Sequence, residues 1–206
     1  RKLLTLWNCY SFFVTYAQAD NWQWTPGAGK VALNELDRWI LSRLQRLVET
    51  ARSAFEDFAI YRMMERMQQF EEEFSNWYLR RSRRRFWKSE ADQDKDAAYR
   101  TLYAVLTTLI RVLAPVLPFL MEAIYQNLVR SIDPQAPESV HLTPYPTVDG
   151  ALIDEALESN IETVIRIKNL LLSLRMQSKV KIRQPLSTLF VKPRDQHERT
   201  VLSQPY

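Results

Sequence analysis

No proline occurs between Pro26 and Pro115, although the chain holds ten. Proline breaks a helix interior by removing a backbone donor and clashing with the preceding turn. Its absence over so long a stretch leaves room for long uninterrupted helices. The apolar residues there recur at three- and four-residue spacing, the period of a buried helix face. A mainly α fold follows. The chain has 206 residues, room for one large or two small domains. Only three glycines are present, Gly27, Gly29 and Gly150, which excludes glycine loops of the kind that cradle phosphates.

Taken in order, Leu3, Leu6, Trp7, Tyr10, Phe13, Val14 and Ala17 predict a helix over 2–18. Asp20–Leu33 reads as a loop. Asn34 is an N-cap with Asp37 three residues on, opening a helix whose stripe is Leu36, Trp39/Ile40, Arg43/Leu44, Leu47, Ala51 and Phe55. After a break at Glu56–Ala59 a central helix spans Ile60–Lys88, with Ile60, Met63, Met67, Phe70, Phe74, Trp77 and Tyr78 on its apolar face. At about 100° per residue, Arg81 and Arg85 continue that face, and Arg80, Arg83, Arg84 and Trp87 fall opposite. Ser89–Gln93 is a hinge with Asp92 as a cap. The next helix, apolar over most of its circumference, is split near Leu113–Pro118 by Pro115 and Pro118. Ser131–Gly150 reads as a loop returning across the bundle. Asp149 or Asp154 starts a last helix, and Ser187–Lys192 is expected to form a strand. Domain limits of 1–148 and 149–206 follow, a helical bundle and the start of a truncated α+β segment.

Net charge is +4, unevenly spread. Residues 79–88 carry +6 and residues 166–199 carry +7, leaving −9 on everything else. Two basic islands on an acidic body point to local anion binding. The first island is FEEEFSNWYLRRSRRRFWK at 70–88. It joins Arg80, Arg81, Arg83, Arg84, Arg85 and Lys88 to Trp77, Tyr78, Phe86 and Trp87, with no acid between Glu73 and Glu90. Cations that neutralise phosphates and planes that stack on bases suit RNA. The competing reading is a salt-bridge network with Glu71–Glu73. Arg81 and Arg85, placed on the apolar face, must leave the bundle end or find buried acidic partners. In the second island Lys179, Lys181 and Arg183 alternate and would share one face if extended; an ordinary charged edge is the plainer reading.

One cysteine, Cys9, and two histidines, His141 and His197, exclude a disulfide framework and a Cys/His zinc site, and fit a reducing cytoplasm. No apolar run long enough for a membrane span is present, and the N-terminal RKLLTLWNCYSFF does not read as a signal peptide. No nucleophile–base pair and no carboxylate pair with a role is visible, so no catalytic, metal or cofactor residue is assigned. His141, among prolines, reads as a loop-stabilising residue. The absence of an initial Met and the abrupt end suggest a piece of a longer protein.

Several strings then go together: LWNCYSFFVTYA at 6–17, LDRWILSRL at 36–44, SNWYLRRSRRRFWK at 75–88, LAPVLPFLMEAIY at 113–125, SVHLTPYP at 139–146 and KIRQPL at 181–186. In this order the chain resembles the C-terminal side of the isoleucyl-tRNA synthetases. LDRWILSRL and the APxxPF-type segment are shared with valyl and leucyl enzymes, while the arginine string and KIRQPL are more specific. The resemblance implies an anticodon-binding helical bundle gripping the anticodon stem-loop of a tRNA that accepts isoleucine. It also implies a separate catalytic domain of the same protein, which charges that tRNA using ATP and Mg2+ in the cytoplasm. The expected RNA-binding residues are Arg80, Arg81, Arg83, Arg84, Arg85, Trp87, Lys88, Lys179, Lys181 and Arg183, with Arg81 and Arg85 partly structural. The alternatives are a structural or protein-interaction bundle, or the equivalent region of a valyl enzyme.

Overall fold

In a computed structural model, residues 2–25, 31–87 and 92–204 are described. They form eight α-helices with no strand. The chain divides into two compact units, Arg1–Ile153 and Asp154–Tyr206. The first holds α1 (Lys2–Ala19), α2 (Glu35–Glu56), α3 (Ile60–Glu71), α4 (Arg80–Trp87), α5 (Gln93–Leu113) and α6 (Pro118–Tyr125). The second holds α7 (Glu155–Gln177) and α8 (Gln196–Leu202).

Local sequence explains most boundaries. Asn34 accepts a hydrogen bond from the Asp37 amide at 2.9 Å, and Asp37 answers by accepting from the Asn34 amide, a capping box that starts α2. Asp92 caps α5 through the Lys95 amide. Pro118 stands at the first turn of α6, where its missing N–H costs nothing. Asp149 and Asp154 both act as caps, the first of a short 3-10 turn at Gly150–Leu152 and the second of α7. Three helices end without glycine. Asn21, Phe58 and Lys179 take the left-handed conformation, with φ of 52°, 53° and 54°. In each case that residue and the next donate back to the helix's last turn, as Phe58 does to the Phe55 carbonyl and Ala59 to that of Ala54.

The core of the first unit is built on α2 and α5. Trp39, Ile40, Leu44, Leu47, Ala97, Ala98, Leu102 and Leu109 are almost wholly buried. α1 adds Leu6, Cys9, Tyr10 and Phe13. Glu122 of α6 ties down the returning loop by accepting from the Ser139 hydroxyl and the Val140 amide, at 2.8 and 2.9 Å. His141 itself is exposed, and its amide donates to the Ser139 hydroxyl.

Two expectations are corrected. The central helix is α only in part: Glu72–Leu79 winds as a π-helix between α3 and α4. A π turn is wider and takes up an extra residue. Beyond it Arg85 stays on the buried face with Phe86 beside it, but Ser82 goes inward where the regular period places Arg81. The expected strand over Ser187–Lys192 is absent; the segment carries no regular structure. A lone strand has no partner to satisfy its backbone. Lys179 is also consumed by the cap of α7, whose carbonyls at Met176 and Arg175 accept from Lys179 and Val180.

Candidate nucleic-acid interface

The site is built on one buried charge pair. Asp37 has no solvent exposure. Its carboxylate takes a two-pronged contact from the Arg85 guanidinium, 2.7 Å on each oxygen, and a further hydrogen bond from the Tyr78 hydroxyl at 2.8 Å. Arg85 also reaches Asp94, through its carboxylate at 2.9 Å and its carbonyl at 2.8 Å. One aspartate thus closes the cap of α2, receives the phenol of the π segment and holds α4. Burial alone lowers the Arg85 pKa, but the hydrogen bonds and charge of Asp37, with Tyr78 and Asp94, outweigh it and raise the pKa above the usual arginine value. Burial, followed by the Asp37 charge, drives the Tyr78 phenol well above its ordinary range. Such a pair contributes modestly compared with an apolar isostere, but removing one partner strands the other at a cost of about 3–5 kcal/mol.

The rest of α4 follows from that anchor. Phe86 is buried against Phe12 of α1 and Tyr99 of α5, edge-on at 5.2 and 4.9 Å. Ser82, Arg85 and Phe86 cover one side of the helix. Arg80, Arg81, Arg83, Arg84 and Trp87 are exposed on the remainder. Arg80, Arg84 and Trp87 are spaced four and three residues apart and lie on one face, with Arg83 beside them. Arg81 lays its guanidinium 3.3 Å from the centre of the Trp77 ring, a cation–π contact. Burial, then the charge of Arg80, lowers its pKa. The Trp87 indole donates to the Tyr16 hydroxyl at 2.7 Å, which fixes the ring while more than half of it stays open to solvent.

The acidic neighbours do not take up these arginines. Glu73 accepts from Arg43 of α2 at 2.7 Å and from Arg66 of α3 at 3.3 Å. Among the described residues, Arg80, Arg83 and Arg84 have no ion-pair partner. The structure therefore separates the ten expected residues. Arg80, Arg81, Arg83, Arg84 and Trp87 form one exposed surface. Arg85 is withdrawn into the core as its anchor. Lys88 lies outside the described residues. Lys179, Lys181 and Arg183 belong to the second unit; they are exposed but share no strand face. There Arg175 closes a loop by donating to the carbonyls of Lys181, Ile182 and Gln184 at 2.9–3.3 Å.

Sequence reasoning missed Asp37 as the anchor, having assigned it only to the cap. The signal was present: Asp37 precedes Ile40 and Leu44 by three and seven residues, so an acid lies on the apolar stripe of α2. Among the described residues no group of three or more His, Cys, Asp or Glu could hold a metal ion. No helix there is long and apolar enough to cross a membrane.

The chain is similar to known proteins over most of its length. Residues 37–190 match the family model described as the anticodon-binding domain of tRNA ligase. The chain is 48% identical over 200 residues to an isoleucine–tRNA ligase of Dehalococcoides mccartyi, covering 97% of this chain and 20% of that protein. It is 44% identical over 189 residues to the isoleucine–tRNA ligase of Thermus thermophilus (91% and 18%) and 43% over 192 residues to that of Clostridium novyi (93% and 18%). The chain spans about a fifth of the length of these relatives. It belongs to the family of anticodon-binding domains of tRNA ligases.

Proposed function

We propose that the first unit grips the anticodon stem-loop of a tRNA through the open face of α4, as part of an isoleucine–tRNA ligase. Arg80, Arg83 and Arg84 meet phosphates, and Trp87 offers its exposed ring beside them. Arg81 adds charge at the edge while packed on Trp77. Phosphate contacts of this kind set position and register without reading sequence. The charging of an isoleucine-accepting tRNA with ATP and Mg2+ is assigned to other parts of the longer protein, working in the cytoplasm. Lys179, Lys181 and Arg183 make a second, weaker contact.

One observation carries the reading. The exposed arginines of α4 are unpaired among the described residues, while the helix beneath them is held by a buried ion pair. A structural bundle would pair these cations with its own carboxylates, and Glu73 is occupied by Arg43 and Arg66 instead. No observation favours the valyl alternative over the isoleucyl one. Filter binding of total tRNA at two salt concentrations tests the proposal. Retention should fall steeply with salt, and replacing Arg83 and Arg84 with alanine should flatten the slope by about 0.7–0.9 for each phosphate no longer neutralised. An unchanged slope would assign both arginines to a structural role.

A further inference from the structure

A further guanidinium without an ion-pair partner among the described residues lies in the first unit, away from α4. Arg111, in the last turn of α5, lines a cavity of about 410 Å3 between α5, α6 and the returning loop. It is half-buried, and its hydrogen bond is a 3.4 Å contact from Nε to the Thr107 carbonyl one turn back. No described carboxylate pairs with it. Desolvation lowers its pKa and only the Tyr125 phenol opposes this, the opposite of the Arg85 case. A guanidinium drawn part-way out of water without an anion is incomplete as a structural element.

Of the cavity's hydroxyl groups, all but that of Thr108 already donate their protons within the fold. Thr107 donates to the Tyr103 carbonyl at 2.8 Å, Thr143 to that of Val140 at 2.6 Å, and Tyr125 to that of Pro137 at 2.8 Å. Toward a ligand these oxygens offer lone pairs only. The remaining wall is apolar, including Trp24 stacked on Tyr103 at 5.0 Å and the rings of Pro137 and Pro144. The site thus combines one cation, several acceptors and an apolar wall in a volume typical of small-ligand pockets.

We propose that this cavity binds one nucleoside monophosphate unit, its phosphate on Arg111 and its base in the apolar half, with bases that carry an exocyclic amine preferred over uracil. Arg111 supplies a charge-assisted contact, and the hydroxyl oxygens accept from the amine. The unit arrives either as an unpaired residue of RNA or as a free mononucleotide. In the RNA case the inference rests on the tRNA reading above, but it uses a different surface from α4.

The test is calorimetric titration of the 206-residue protein with AMP, UMP, adenosine and a short single-stranded adenine-containing RNA. Each is repeated on Arg111→Gln and on the Arg83→Ala/Arg84→Ala double variant. The expected result is saturable AMP binding, weaker for UMP and adenosine. Arg111→Gln should weaken it about tenfold or more, and the double variant should leave it intact. Arg111-dependent binding of the RNA alone, measured in the double variant, identifies an RNA residue as the occupant; dependence for AMP alone identifies the free nucleotide. Binding of neither, or equal binding to wild type and Arg111→Gln, overturns the proposal. Salt-dependent tRNA retention lost in the double variant would survive either outcome, so the two readings fail separately.

Discussion

The two basic islands have similar charge and opposite structural support. In the first, every exposed arginine rides on a helix whose other side is pinned by Asp37, Tyr78 and Phe86. In the second, Lys179, Lys181 and Arg183 follow the end of α7 in a segment without regular structure. Large apolar side chains there are open to solvent, including Ile182, Leu189 and Phe190. Its tethering is three carbonyls on one half-buried arginine, Arg175. The difference teaches that charge makes a surface cationic, but a buried countercharge gives that surface a shape. Helical cations held at fixed spacing meet a phosphate backbone without first being ordered, whereas cations on an irregular segment bear that entropy cost on binding.

The largest effect should come from the anchor. Asp37→Ala leaves the buried Arg85 only the more exposed Asp94 carboxylate and removes the α2 capping partner. Urea unfolding should show a loss of about 3–5 kcal/mol. A destabilisation below about 1 kcal/mol, the scale of an ordinary hydrogen bond, would mean that α4 is held by aromatic packing alone, and the contrast between the islands would collapse. Next, Arg83→Ala/Arg84→Ala should lower tRNA affinity at low salt more than Lys179→Ala/Lys181→Ala/Arg183→Ala does, although fewer charges are removed. Filter binding ranks the two; a reversed order would make the second island the principal contact.

A smaller effect concerns acid. Glu198 of α8 is held below the usual glutamate range, first by the Arg194 amide and then, against the opposing effect of burial, by Arg166 at 2.9 Å. A depressed carboxylate gives stabilisation that is complete above its unfolded pKa and is lost as pH falls through the folded one. Amide exchange at Val201 should therefore speed up as pH is lowered below the ordinary glutamate range, after correction for intrinsic rates, while the Leu102 amide of the first unit stays protected. The smallest effect should follow Lys179→Gly. Glycine relieves the left-handed φ of 54° at the end of α7 and should stabilise that cap by up to about 1 kcal/mol. The gain should appear as slower exchange at Val180, with the Asp37 region untouched.

Much of the bundle was legible because its signals are local. The capping residues Asn34, Asp92 and Asp154, the break after Glu56 and the split at Pro118 each depend on neighbours a few positions away. Even the conflict at Arg85, a cation on an apolar stripe, could be read in advance. Its resolution could not, because Asp37 lies 48 residues earlier and meets it only when α2 and α4 pack. The π segment was equally hidden: no residue in Glu72–Leu79 announces a wider turn, yet that turn decides that Ser82 is inside and Arg81 outside. The strand over Ser187–Lys192 failed for the complementary reason, since β-branched composition describes a preference that only a partner strand realises.

By itself the sequence determined a helical scaffold built on a long proline-free stretch, where most of its helices start and stop, and that two stretches concentrate positive charge. Periodicity and capping act within a turn or two of the chain, so they survive without knowledge of the fold. Which cations face outward, which one becomes a structural bolt and which cavity keeps an unpaired guanidinium were decided by tertiary packing. Burial and countercharge are properties of what arrives from elsewhere in the chain, and desolvation makes the presence or absence of that partner worth several kcal/mol.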